Sequence, residues 1–323
     1  MTRLNLEDRW PSLADQVTVA TTLFGDAGER LVSEWLDTQL GLVGDAEFAA
    51  VFADHITLPG IAPLDYAHRH IRTPRGELLG GIRFYGRDVA RPFVDVLAHS
   101  FTDLSVLADV VAAEWSAFGV RFLRLQHRPG IINGGNVILD QTIHVARYSQ
   151  MTPTDGRVRL APLPDAGSAI DLVAARYADL AAANPELAGN IAGQEAEEIE
   201  EWHRSGRLRG IDVDGTIVGL LAVDDSNIGW ITGDEVKEEV IASGHSGHGY
   251  AASAQAAWAA HVADDPARLL IGTIDRHNHA SRRTAERAGR PAVLENVFVY
   301  LGLLDSRTPP LSESPIRAPG DLL

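Results

Sequence analysis

The stretch Val236-Lys-Glu-Glu-Val-Ile-Ala-Ser-Gly-His-Ser-Gly-His-Gly-Tyr-Ala251 decides how the second half of this chain folds. It starts as a strand, turns through small residues, and runs straight into an apolar-periodic helix read as Ala251–Val262. A strand that ends this way aims several backbone amides at one point, and the helix dipole favours negative charge there. Gly247 and Gly249 let the backbone approach a ligand with no Cβ in the way. In physical terms this is a pyrophosphate cradle; the competing reading is a plain, tight strand-to-helix turn.

Outward from that stretch, the second half reads as an ordered series of elements. Arg157–Leu163 is a strand, Ala169–Ala183 and Glu195–Arg204 are helices, and Gly210–Val213 with Thr216–Val223 form a hairpin around Asp214-Gly215. Asn227–Thr232 and Val236–Ile241 read as further strand. Beyond the helix come the strand Leu269–Ile274, the helix Ala280–Ala288 closed by Gly289, and the strand Ala292–Leu301.

The first half shows the same order at a spacing of about 150 residues, which reads as a duplication. Helices at Ala27–Leu40 and Glu47–His55 precede strands at Tyr66–Arg72, Glu77–Tyr85 and Pro92–Ala98; the helix Leu104–Phe118 and the strands Val120–Leu125 and Asn136–Tyr148 follow. The expected class is α+β: two tandem domains, each a mixed, mostly antiparallel sheet flanked by helices. The boundaries are 1–150, 151–304 and a disordered tail, 305–323, with Met151–Gly156 as linker.

Composition narrows the functional classes. The 323 residues carry a formal charge of −16, against a nucleic-acid partner, whose backbone calls for clustered Lys and Arg. With no cysteine, disulfides, thiolate metal sites and cysteine nucleophiles are excluded. No apolar run approaches the ~18 residues of a membrane span, and the N-terminus lacks an apolar leader. A cytoplasmic protein is expected, with no metal and no membrane partner; oligomeric state is left open.

Ser246-Gly-His-Gly-Tyr-Ala251 resembles the acyl-CoA loop of the GNAT (N-acetyltransferase) superfamily, Gln/Arg-x-x-Gly-x-Gly/Ala, from Gly249 onward. Ser246 stands where that family usually has Arg or Gln. About 30 residues on, Ile274-Asp-Arg-His-Asn-His-Ala-Ser-Arg-Arg-Thr-Ala-Glu-Arg-Ala-Gly-Arg290 resembles the segment flanking the pantetheine arm, with Asn278 and Gly289 at the matching positions. Ala285 replaces the Tyr that protonates the departing thiolate in many members, and Arg290 replaces the usual aromatic. The resemblance covers Arg157–Leu303.

It implies acetyl-CoA as acyl-donor cosubstrate and a small amine-bearing molecule as acceptor. The expected cofactor-binding positions are Val240, Ile241, Ala242, Ser246, Gly247, His248, Gly249, Tyr250, Ala251 and Asn278. Candidate proton-transfer residues are Glu238, Glu239 and His245, with Glu235 a third carboxylate; strand alternation turns Glu238 and Glu239 to opposite sides. Each of these Glu is also explained by a solvated strand face, and His245 and His248 by exposure on a loop. The first half has His99-Ser-Phe-Thr-Asp-Leu104 at the corresponding turn, with no glycine, and is read as a half without a CoA loop. The alternative function is a non-catalytic sensor of CoA or another ligand.

Overall fold

The computed structural model describes residues 6–302 except 54, 55, 57, 133–135, 262–264 and 266. The expected tail 305–323 and the ends of two expected helices at His55 and Val262 lie outside the described residues. The described helices are α1 Leu6–Arg9, α2 Ala14–Phe24, α3 Gly28–Gly41, α4 Ala46–Ala53, α5 Leu104–Glu114, α6 Ala166–Ala183, α7 Pro185–Ala188, α8 Ala196–Arg204, α9 Tyr250–His261 and α10 His279–Arg287. The strands are β1 Arg69–Thr73, β2 Gly76–Phe84, β3 Pro92–His99, β4 Phe122–His127, β5 Val137–Arg147 and β6 Arg159–Ala161. β7 Leu208–Val213, β8 Thr216–Ile228, β9 Ile231–Ile241, β10 Leu269–Asp275 and β11 Ala292–Tyr300 complete the set.

The short helices α1 and α7 are lacking in the sequence reading, and two larger departures from it stand out. α2 is absent from it, because three threonines interrupt the apolar pattern and no side chain caps its start. Its buried Val17, Ala20 and Leu23 form a helix only because the sheet beneath covers them. The separate strands read at 216–223, 227–232 and 236–241 are one long hairpin, turned by Gly229 at φ +62°. The neighbouring Trp230 is buried and donates to Gln16 Oε1 at 2.9 Å, which ties the hairpin tip to α2.

The class is α+β, in two tandem halves of similar element order that build one sheet. Its strand order is β1-β2-β3-β4-β11-β5-β10-β9-β8-β7-β6. Within each half the pairing is antiparallel except for one parallel pair, β3 with β4 and β9 with β10, joined by the crossover helices α5 and α9. The last strand of each half is exchanged: β11 lies between β4 and β5, and β5 lies between β11 and β10. Sequence order alone does not reveal this, since either half could have closed on its own last strand.

Alternating burial places two helical layers on the second-half strands. Leu221 and Val223 pack with Trp258 of α9, whereas Leu220 and Ala222 pack with α6 and α8 through Val173 and Trp202. α2 and α3 cover the centre of the sheet, against Val145, Ile271 and Leu294. α5 closes the first half on Leu107, Trp115 and Leu123.

Candidate functional site: a cleft at the splayed strand pair

The parallel pairing of β9 with β10 is confined to Leu270↔Asp234 and Ile271↔Glu235. Beyond it the strands part, and the opening leads to the start of α9. A cleft of about 380 Å³ lies there, lined by Glu239, Val240, Ile241, His245, Ser246 and Gly247, and by Gly249, Tyr250, Ala251 and Asn278. These residues come from the end of β9, the following turn, the first turn of α9 and the start of α10. Gly247 at φ +83° and Gly249 at φ +78° occupy left-handed backbone that a side-chain-bearing residue enters at a cost. A Cβ on Gly247 would meet nothing within 4 Å, so the space before it is open to a ligand.

Two expected positions stand apart from the cleft. His248 turns its ring onto Tyr250, with centroids 5.4 Å apart, and its carbonyl accepts from Arg157 at 3.0 Å. The amide of Ala242 donates to Val218 O at 2.9 Å. Because amides alternate along a strand, the neighbouring Ile241 amide faces the opening instead. Asn278 caps α10, its Oδ1 accepting from Ser281 N at 3.1 Å, and its side chain also borders the cleft.

The charge expected at position 246 is supplied from elsewhere. Arg176 of α6 and Arg283 and Arg287 of α10 line the same cleft. Arg283 and Arg287 are four residues apart and share one helix face, a signal present in the sequence but not used in its reading. No acidic residue sits in the first turn of α9, which leaves its positive end uncompensated. An anionic phosphate-bearing ligand fits this donor set of backbone amides and three guanidiniums. Ala285 is fully buried against the core, so its position offers the cleft no proton donor. Tyr177, Ser281 and Thr284 line the cleft with hydroxyls.

A second cavity of about 580 Å³ adjoins the first through Tyr177, Ile191, Glu239, Asn278 and Ser281, which line both. Glu239 is the one carboxylate bordering both cavities among the described residues. Both its oxygens accept from Gln255 Nε2 of α9, at 3.1 and 3.0 Å. Burial pushes its pKa up to about 7, held from rising further by Arg290 and Gln255, while Glu238 adds to the rise. Glu238 opens only on the second cavity, where it accepts from Tyr177 Oη at 3.4 Å and Gln194 N at 3.3 Å. Burial raises its pKa too. Glu235 is ion-paired with Lys237.

The first half reaches this second cavity indirectly, through Asp275 of its lining. Tyr85, after β2, donates to Asp275 Oδ2 at 2.9 Å, and Asn190 donates to the same oxygen at 3.0 Å. Arg91, before β3, stacks over Tyr85 and donates to Asn190 Oδ1 at 3.0 Å. Sequence reading missed Asp275 and Gln255 and noted Arg290 only as a departure from the family pattern, because no local pattern marks residues that meet only across three elements. Among the described residues, no group of three or more His, Asp or Glu is arranged to hold a metal, and no helix is long and apolar enough to cross a membrane.

Fold and cleft together define an α+β protein of two tandem halves, with a glycine-bearing turn and three arginines around a cleft in the second half. No protein-family model matches the chain, and no curated protein matches its sequence. Among solved structures it is similar to an acetyltransferase of the GNAT family from Colwellia psychrerythraea, at 11% identity and TM-score 0.44, over 83% of this chain and 96% of that one. It is also similar to a tandem GNAT protein from the clavulanic acid biosynthesis pathway, at 14% identity and TM-score 0.40, over 86% and 97% of the two chains. A GCN5-related N-acetyltransferase from Sphaerobacter thermophilus shares 13% identity at TM-score 0.44, over 80% and 92%.

Proposed function

We propose that this chain transfers an acetyl group from acetyl-CoA to an amine of a small molecule. The observation that carries the reading is the placement of Glu239 at the junction of two cavities, one lined by an anion-accepting loop and three arginines, the other by polar side chains. The cosubstrate supplies an activated thioester. Gly247, Gly249 and the start of α9, with Arg176, Arg283 and Arg287, hold its phosphates, and the amide NH₂ of Asn278 meets its arm.

An acceptor amine with a pKa near ~10 arrives mostly protonated, so it must lose a proton before it attacks. Glu239 accepts that proton directly or through water, and its pKa of about 7 matches the task at neutral pH. The amine nitrogen bonds to the carbonyl carbon, the C–S bond breaks, and the carbonyl oxygen is held by the Ile241 amide. The departing sulfur leaves as thiolate or takes a proton from water or from a hydroxyl of Ser281 or Tyr177. A thiol pKa near ~8.5 makes the missing tyrosine a small handicap.

In this reading residues 151–304 carry the acyl-CoA site and residues 1–150 support the acceptor side from behind, through the hold of Tyr85 on Asp275 and of Arg91 on Asn190. An acidic, cysteine-free chain suits a cytoplasmic acetyl-CoA pool, with neither nucleic acid nor membrane as partner. The sensor reading is favoured by one observation, the burial of Ala285 where a proton donor is expected. A thermal shift with acetyl-CoA, followed by thioester release over an amine panel, separates the readings. A shift with release supports transfer, a shift without release on any amine supports the sensor, and no shift at millimolar acetyl-CoA sinks both.

A further inference from the structure

Arg290 is the residue of the second cavity with the least accounted-for chemistry. It follows Gly289 at the end of α10, is only 2% exposed, and lines the 580 Å³ cavity. Its Nε and Nη1 are enclosed and have no hydrogen-bond partner, and none of the ion pairs in the described residues includes it. A buried guanidinium without partners is among the most costly arrangements a protein can hold. Its path depends on Gly272 of β10, where a Cβ would come within 2.8 Å of Nη1.

The carboxylates around it do not fill the gap. Glu239 is held by Gln255, Glu238 by Tyr177 and Gln194, Asp275 by Tyr85 and Asn190, and Glu235 by Lys237. Asp224 and Asp225 at the rim pair with Arg207. Each of these acids therefore has a partner already, and Glu198, the remaining acid of the lining, is exposed to water. Glu239 acts on Arg290 as a neighbouring charge, but Nε and Nη1 of the guanidinium have no acceptor. One acceptor atom is also unpaired: Gln255 Oε1, on a side chain 1% exposed that lines the same cavity. The cavity thus lacks an anionic acceptor at Arg290 and a donor at Gln255, both beside Glu239.

We propose that the acceptor is an amine that also carries a carboxylate, an amino acid or a molecule with an amino-acid end. Its carboxylate docks on Arg290, and its ammonium lies between Glu239 and Gln255. This rests on the transferase reading for the site, and it sharpens that reading from amines in general to zwitterions. The fixed carboxylate would orient the nitrogen toward the first cavity, so Arg290 determines specificity through a bidentate, charge-assisted contact.

The test uses the full chain with CoA or acetyl-CoA and α-amino acids, each against its amide and its decarboxylated amine: L-phenylalanine with phenylalaninamide and phenethylamine, L-lysine with lysinamide and cadaverine, and similar sets. Thermal shift with CoA reads binding, and thioester release with acetyl-CoA reads turnover. At least one amino acid should bind and react tenfold or more better than its amide. Arg290→Gln should erase that preference while keeping the acetyl-CoA shift, and Arg290→Lys should keep part of it. If Arg290→Gln does not fold, Gly272→Ala, which displaces the guanidinium and retains its charge, should lower the preference in the same way. Amides or decarboxylated amines that match or exceed the acids, or a preference unchanged in both variants, would overturn the proposal. An amino acid that binds through Arg290, with no release from any amine, sinks the transferase reading and leaves only the carboxylate-binding role of Arg290 standing. No amino acid binding at all sinks this one, whatever acetyl-CoA does.

Discussion

The two halves of the sheet open at equivalent places, and only one of them becomes a site. In the first half the parallel register is Val94↔Leu123 and Asp95↔Arg124; in the second it is Asp234↔Leu270 and Ile271↔Glu235. Counting onward from each register, His99 is the counterpart of Glu239 and Leu125 that of Gly272. Leu125 is buried in the first-half core, whereas Gly272 at the equivalent position leaves room for the Arg290 side chain. Phe101 fills the first-half turn, and the start of α5 is capped by Asp103, whose Oδ1 accepts from Ser105 N at 2.8 Å. A carboxylate at that helix end already occupies the place where an anionic ligand would bind. The second half has glycines at the same turn and no acid in the first turn of α9. One fold therefore yields a packed joint or a cleft, depending on a few side chains at the splay.

The contrast is most severely tested at Glu239. Glu239→Gln should lower thioester release by about 10²–10⁴-fold, the usual worth of a positioned general base, with the acetyl-CoA thermal shift retained. In the unaltered protein the rate should rise as pH passes through about 7, where Glu239 loses its proton, and the variant should lose that limb. The same group has a stability signature that needs no turnover. Its folded pKa of about 7 lies above its ordinary 4.5, so the folded state holds the extra proton between the two. Stability from this group therefore falls as pH rises across that window, and Glu239→Gln should show a flatter profile. An unchanged pH profile in the variant would move the base to Glu238.

The next effect belongs to the cradle. Acetyl-CoA at 100 times its Kd should stabilise the protein by about 2.7 kcal/mol, and Gly249→Val should remove that shift while circular dichroism still reports the fold. The positive φ at Gly249 adds a strain of about 1–2 kcal/mol, separately readable without ligand. Smaller again, Arg283→Gln or Arg287→Gln should weaken acetyl-CoA binding by about tenfold, the ~1.4 kcal/mol scale of a charge-assisted contact, with little change in kcat. Calorimetric titration reads this, and equal affinity in both variants would return the phosphates to the backbone alone. The smallest effect lies in the first half: Asp103→Ala should lower the thermal midpoint slightly by loss of the cap, with no change in the acetyl-CoA shift. A new response to acetyl-CoA in that variant would show the first-half turn to be a blocked site instead of a packed joint.

Much of the site was legible because its loop is local. Ser246 to Ala251 form strand end, turn and helix start within a few residues, so glycine placement and amide direction follow from adjacent positions. The same holds for the pairing of Glu238 with Glu239 on opposite sides of β9. What was illegible depends on residues far apart in the chain. The charge missing at Ser246 returns from Arg176, Arg283 and Arg287, on two helices that only packing brings together.

The sequence by itself determined the glycine turn before α9, the α+β order of the two halves and the candidate acids, since each rests on short-range periodicity or turn chemistry. Tertiary structure decided which acid stands at the junction of the cavities, that α2 is a helix, and that β5 and β11 change places. It also decided that Arg290 is buried with its Nε and Nη1 unbonded. Those outcomes depend on which long-range pairings bury the most apolar surface while satisfying the most polar groups, a sum over the whole chain that no single segment contains.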